Sequence, residues 1–215
     1  MPAILKRRTR ERIVETGLRL FNDFGEPNVT TSLIAAELGI SPGNLYYHFR
    51  NKEEIVTELF AKFEQEMAEL LVAPQNGKPA VEDVWRQIHA LFELIWRYQF
   101  LYRDLNDILS RNRTVEIQFN RILQISVQAS IVACDGLIAA GEMQASRTER
   151  HALADNLVVV ATYWMSYEYV RNPREPLSEA AVQRGAFQVL ALAAPYLRGR
   201  SRELFEKLAK KYLAD

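Results

Sequence analysis

The chain has 215 residues, of which 48% are hydrophobic and 25% charged, a composition typical of a globular protein with a buried core. Its Lys+Arg and Asp+Glu totals are both 27, so the net charge of the whole chain indicates no partner. Its single cysteine excludes an internal disulfide framework and favours a reducing, cytoplasmic location. We recognise no secretory signal, and the charge-free runs Ile122–Cys134 and Gly185–Leu197 are shorter than the roughly 20 residues of a membrane span, so we expect a soluble protein that binds no membrane.

Apolar residues recur at helical spacing along most of the chain. In chain order, the predicted helices are Arg10–Gly25, Thr31–Gly39, a short helix that begins after Ser41, Asn51–Leu71, Val81–Trp96, Leu101–Leu109, Val115–Ala140, Thr148–Val170, Ser178–Leu197 and Ser201–Leu213. Thr31, Ser41 and Asn51 are predicted N-caps, and a loop is predicted at Ala73–Pro79. Since no strand pattern is visible, the predicted fold class is all-α.

The second and third predicted helices form a helix-turn-helix pattern around the turn Leu38–Ser41. They lie within residues 1–52, which carry eight basic side chains against five acidic ones. In such a motif the second helix enters the major groove of DNA with its first residues at the base edges. Here those residues are Gly43, which lets the backbone come close, and Asn44, which offers both a donor and an acceptor.

Other polar side chains surround this predicted reading helix and are expected to bind the phosphate backbone, which orients a protein without specifying sequence. The complete set of predicted DNA-binding residues is Thr31, Ser41, Gly43, Asn44, Tyr46, Tyr47, His48 and Lys52. The basic start of the chain is interpreted either as a solvated face or as a further contact with flanking DNA, and consists of Arg7, Arg8, Arg10 and Arg12.

Residues 30–54, TTSLIAAELGISPGNLYYHFRNKEE, resemble the DNA-binding signature of the TetR family of bacterial transcriptional regulators. The resemblance extends upstream to Arg10–Gly25 and implies a three-helix DNA-binding domain at 1–52, followed by a helical bundle for ligand binding and dimerisation at 53–215. It implies a ligand-responsive transcriptional repressor. Such a protein binds a palindromic, double-stranded DNA operator as a homodimer and releases it when an effector tilts the helix that starts near Lys52.

The C-terminal two-thirds of the chain is rich in aromatic residues on separate predicted helices. The predicted effector-binding residues are Trp96, Phe100, Phe119, Tyr163, Trp164 and Tyr167. Their composition favours a small apolar or aromatic effector, with Tyr163 or Tyr167 as the orienting hydroxyl. The alternative is that the rings interlock as a solid core.

The dimer is predicted to pair through the helices near His151–Val170 and Ser178–Leu197, which carry more apolar positions than one inward stripe requires. These positions include Leu157, Val158, Val160, Ala161, Met165, Val189, Leu190, Leu192 and Ala193.

An all-helical enzyme or an adaptor without sequence-specific DNA binding is the alternative reading of the chain. A di-iron bundle requires paired Glu-x-x-His motifs, but none of His48, His89 and His151 has a glutamate three residues before it. We therefore predict no catalytic residue, no metal site and no cofactor.

Overall fold

The computed structural model describes residues 2–71 and 81–212 of the chain. The predicted loop at Ala73–Pro79 lies outside these described residues. The described α-helices, in chain order, are α1 Pro2–Phe24, α2 Thr31–Glu37, α3 Pro42–His48, α4 Lys52–Leu71, α5 Val81–Arg97, α6 Gln99–Arg103, α7 Leu105–Arg111, α8 Arg113–Ala139, α9 Arg147–Arg171, α10 Glu179–Ala193 and α11 Gly199–Tyr212. Short 3-10 helices cover Glu26–Asn28 and Ala194–Tyr196. The all-α fold class is confirmed.

The helix boundaries confirm two predicted caps and correct one. The Ser41 hydroxyl accepts from the Asn44 N–H at 3.2 Å, and the Asn51 side chain accepts from the Glu54 N–H at 2.9 Å. The prediction that Thr31 caps α2 is wrong, because Thr30 does so by accepting from the Leu33 N–H, and Thr31 is the first helical residue. The single helix predicted at Leu101–Leu109 is two helices, α6 and α7, divided at Asp104.

The first compact unit comprises Met1–Gln65 and Tyr98–Gln118. Its core is built from large side chains that are fully buried, among them Phe21, Phe49, Phe60, Phe63 and Phe100. The rings of Phe21 on α1 and Phe100 on α6 lie 5.2 Å apart, so the hydrophobic face of α1 is covered partly by a helix far along the chain. The functional division at residue 52 stays a prediction.

The second compact unit comprises Glu66–Arg97 and Phe119–Asp215. A glycine sits where α5, α9 and α10 pack together: a Cβ on Gly185 would lie 2.3 Å from Cε1 of Phe92 and 2.5 Å from Cδ1 of Trp164. The indole N–H of Trp164 donates to the Ala181 carbonyl at 2.7 Å, which ties α9 to α10. The close approach of these helices therefore depends on the missing side chain at Gly185.

A second cluster of buried side chains in this unit involves α8 and α9 and consists of Cys134, Leu137, Met143, Leu153 and Leu197. Burial raises the pKa of the Cys134 thiol, and the nearby Arg150 opposes this effect only in part. The thiol is therefore a protonated core group at neutral pH.

By length and composition alone, α8 is apolar enough to cross a membrane, and 22% of its most apolar stretch is buried. A few charges interrupt the apolar runs of this helix, so the charge-free run Ile122–Cys134 alone did not indicate this property. Composition of this kind is weak ground for a membrane span, because core helices of soluble proteins share it. The expectation that the chain binds no membrane stays a prediction.

Candidate DNA-binding site

The helix-turn-helix consists of α2 and α3 joined by a turn at Gly39. Gly39 has a φ of 66°, in the left-handed region that glycine adopts without strain. The next N–H, that of Ile40, donates to the Ala35 carbonyl at 3.0 Å and so closes the end of α2. Pro42 then opens α3, where its missing N–H leaves no helical bond unmade. These local hydrogen bonds and backbone preferences fix the position of the turn between α2 and α3.

The predicted reading residues share the exposed side of α3. Gly43 and Asn44 are exposed, and the side chains of Tyr46 and Tyr47 are 50% and 67% exposed. Leu45, between them, is fully buried and anchors the helix to the core of the first unit. A Cβ at Gly43 would meet only the Ser41 hydroxyl, at 4.0 Å, so nothing inside the protein requires a glycine there.

Two of the predicted phosphate contacts lie next to each other across the motif. The hydroxyl of Thr31, at the start of α2, lies 3.2 Å from the hydroxyl of Tyr46 on α3. The Ser41 hydroxyl is occupied as the cap of α3, and His48 is half-buried at the end of the helix. The structure therefore brings Thr31 of α2 and Tyr46 of α3 together on one surface of the motif.

Lys52 has surroundings that differ from those expected for a phosphate contact. Its side chain is only 16% exposed, its ammonium lies 3.1 Å from Oε1 of Glu26, and it donates to the Glu26 carbonyl at 2.7 Å. Glu26 is itself 2% exposed and also pairs with Arg111 of α7 at 2.6 Å, while its N–H donates to Asp104 at 2.9 Å. The carboxylates of Asp107 and Glu26 raise the pKa of the Arg111 guanidinium.

The Glu26 cluster, defined as Glu26, Lys52, Asp104 and Arg111, joins the start of α4 and the α6–α7 segment to the turn after α1. No local pattern in the sequence indicated this cluster, because its members are far apart in the chain. Lys52 therefore has a structural role in this cluster, and its contact with phosphate stays a prediction.

The basic start of the chain is helical rather than an extended arm, since α1 already begins at Pro2. Arg8 and Arg12 are exposed on this helix. Arg10, which the sequence grouped with them, bonds to the His48 carbonyl at 2.7 Å and pairs with Glu58. No local pattern indicated that role, because its partners lie 38 and 48 residues further along the chain.

The six predicted effector-binding aromatics have three kinds of surroundings. Phe100 belongs to the first compact unit, packs on Phe21, and takes no part in the second unit. Tyr163 and Tyr167 are 46% and 52% exposed, so neither residue is enclosed within the described part of the chain. The remaining three lie inside or at the edge of the second unit: Phe119 is buried, and Trp96 and Trp164 are half-buried.

Two protein-family models match the chain. "Bacterial regulatory proteins, tetR family" matches residues 13–59, and "Bacterial transcriptional repressor", the TetR C-terminal family, matches residues 62–205. The second match alone covers more than half of the chain, so the protein belongs to the TetR family of bacterial transcriptional regulators, which confirms the resemblance. It is a regulator with a DNA-binding helix-turn-helix and a ligand-binding domain. Members of this family are typically DNA-binding proteins without enzymatic activity.

The crystal structure of a TetR-family transcriptional regulator from Marinobacter aquaeolei VT8 is similar along nearly its whole length. It is 35% identical in sequence, with a TM-score of 0.86, over 95% of this chain and 98% of that one. The tetracycline repressor protein class C of Escherichia coli is 34% identical over 77 residues, which are 36% of this chain and 32% of the repressor. This chain thus spans about a third of the length of the curated relatives that it matches.

A more distant structure, the complex of SmeT with triclosan, shares the fold alone. It is 19% identical, with a TM-score of 0.56, over 90% of this chain and 94% of that one.

Proposed function

We propose that this protein is a repressor that binds a palindromic operator as a homodimer and releases it when a small, largely apolar effector binds. The observation that carries the proposal is the exposed side of α3, where Asn44, Tyr46 and Tyr47 project while Leu45 is fully buried. A helix that only packed in a core would not expose three side chains capable of hydrogen bonding within about one turn. Residues 1–52 would bind DNA, residues 53–215 would bind the effector and the second subunit, and the protein would act in the cytoplasm.

Sequence reading is assigned to the N-terminal end of α3. An asparagine amide can form two hydrogen bonds with an adenine edge in the major groove, and such a pair is worth about 1–3 kcal/mol of discrimination. Tyr46, Tyr47 and Thr31 have hydroxyls suited to phosphate oxygens, and Ser41 orients the helix as its cap.

Support for a homodimer comes from apolar side chains that the single chain leaves exposed on α9. Val159, Tyr163, Tyr167 and Val170 follow one another at spacings of three and four, and each is at least 46% exposed. By contrast, Ala161, Met165 and Val189, which the sequence counted as surplus, are buried within the subunit and serve its own core. An exposed apolar stripe of this kind suits a second copy packed around a two-fold axis.

The effector is assigned to the second unit, near Trp96, Phe119 and Trp164. These rings offer large apolar walls, and the only polar group on Trp164 is already bonded to Ala181. The SmeT complex supports an aromatic effector, because a protein of the same fold binds triclosan. A set of apolar aromatic compounds that raises the melting temperature and releases DNA would identify the effector class.

Selection of the bound sequence from a random pool of duplexes is the decisive experiment. We expect a near-palindromic consensus from the wild-type protein. Asn44→Ala should weaken binding by about 1–3 kcal/mol and relax base preference at one position in each half-site. Asn120→Ala, at an exposed asparagine of α8, is the matched control and should leave the consensus unchanged. Recovery of no consensus with the wild-type protein would refute the proposal.

A further inference from the structure

We propose that Arg10 on α1 is a positioning residue for operator reading, which holds the C-terminal end of α3 in place without itself contacting DNA. The inference rests on the proposed function, since it takes α3 as the reading helix. Arg10 contacts the last residue of α3, the residue after it, and α4.

The first contact satisfies a helix end. The Arg10 guanidinium donates a hydrogen bond of 2.7 Å to the carbonyl of His48, the last residue of α3. The final carbonyls of a helix have no partner within the helix, and a positive charge placed there is favourable. Because α3 has only seven residues, it has little stability of its own and depends on contacts of this kind.

The other two contacts fix the guanidinium itself. Its central carbon lies 4.1 Å from the centre of the Phe49 ring, a cation–π distance, and Phe49 is 1% exposed. A second nitrogen of the guanidinium pairs with the Glu58 carboxylate on α4. A planar, forked guanidinium can stack on a ring and donate in two directions at once, whereas a lysine ammonium cannot reproduce this arrangement.

A displacement of α3 would affect operator reading, because α3 carries the side chains that are proposed to contact the base edges. Base contacts need accurate placement of the reading side chains, whereas phosphate contacts made by charge tolerate displacement. If the end of α3 loosens, specific binding should weaken while non-specific binding persists. An arginine that contacted phosphate directly would weaken binding to all sequences about equally and lower the salt slope by roughly one when removed.

The test compares Arg10→Met with Lys62→Met, which removes one positive charge from an exposed position of α4. Affinities for the selected operator and for a scrambled duplex are measured at several salt concentrations. For Arg10→Met we expect the ratio of specific to non-specific affinity to fall about tenfold or more, with an unchanged non-specific salt slope. Lys62→Met should keep the wild-type ratio. A wild-type ratio in Arg10→Met, or a uniform loss with a slope lower by about one, would overturn the inference.

Arg10→Lys and Glu58→Gln test the same inference if Arg10→Met fails to fold. Arg10→Lys keeps the charge and should still lose specificity, and Glu58→Gln removes one partner and should lower the ratio in the same direction. Wild-type ratios in both of these folded variants would also overturn the inference. If the wild-type protein itself selects no sequence, the proposed function fails; if it selects one and the Arg10 variants select it equally well, only the present inference fails.

Discussion

The ammonium of Lys52 lies 3.1 Å from the carboxylate of Glu26, a side chain with only 2% of its surface exposed. The same carboxylate is shared with Arg111 on α7. A buried carboxylate is tolerated when cations and hydrogen bonds surround it, and removal of one partner leaves part of its charge uncompensated. Lys52 therefore helps to hold the turn after α1, the start of α4 and helix α7 together.

Replacement of Lys52 by methionine should lower the free energy of unfolding by about 3 kcal/mol, because it removes a cation from the buried Glu26. The salt slope of operator binding should stay close to that of the wild-type protein. Urea denaturation and binding titrations at several salt concentrations measure the two quantities. Lys62→Met, at an exposed position of α4, is the control and should change neither stability nor specificity. A Lys52 variant of normal stability whose slope is lower by about one would instead identify a phosphate contact.

Replacement of Gly43 by alanine separates folding from DNA binding. The added Cβ meets only the Ser41 hydroxyl at 4.0 Å, so the free energy of unfolding should stay the same or rise by up to about 1 kcal/mol. Operator affinity should fall, because the methyl group would stand between the backbone of α3 and the base edges. Circular dichroism melts and gel-shift titrations provide the readouts. Full operator affinity in the alanine variant would show that the backbone at Gly43 does not approach DNA closely.

Introduction of a glutamate at Val159 should yield monomers with weakened operator affinity. Val159 is 55% exposed, so the subunit itself should fold, while a charge in the α9 stripe would be buried without a partner in a dimer. Ile117→Glu, at an apolar side chain of 56% exposure on α8, serves as the matched control. Sedimentation at micromolar concentration distinguishes the two variants. The proposed interface is wrong if Val159→Glu remains dimeric.

Replacement of Gly185 by alanine should destabilise the second unit by about 1–3 kcal/mol. The new Cβ would lie 2.3 Å from Phe92 and 2.5 Å from Trp164, so α10 must shift or the rings must leave their positions. Urea denaturation measures the loss. Gly43→Ala is the same substitution in open space and provides the comparison. Equal stability of the two variants would mean that the packing of α5, α9 and α10 is looser than described.

Cys134 should make stability depend on alkaline pH. Burial raises the pKa of its thiol in the folded protein, so the unfolded chain releases this proton first. The contribution of the thiol is fully present below the unfolded pKa of about 8.5 and is lost as the pH rises through it toward the raised folded value. The fall in unfolding free energy between about pH 7 and pH 10 should therefore be smaller in Cys134→Ala than in the wild-type protein. Identical pH dependence in both proteins would contradict this.

The sequence by itself determined the features that depend on neighbours within one or two helical turns. The caps at Ser41 and Asn51 and the turn at Gly39 are set by local hydrogen bonds and backbone preferences, so they could be predicted residue by residue. The same holds for the alternation around Leu45, which buries one side of α3 and exposes the reading side chains. These local rules sufficed for the all-α fold and the position of the DNA-binding motif.

Only the tertiary structure decided which charges and rings meet across the chain. Arg10 reaches a carbonyl 38 residues away, and Arg111 reaches Glu26 across 85 residues, distances over which helical spacing carries no information. The sequence likewise placed Tyr163 and Tyr167 among the predicted effector-binding residues but could not show whether another helix covers them. Whether a side chain is paired or exposed depends on the elements packed against its helix, and only the three-dimensional arrangement of the helices determines which elements those are.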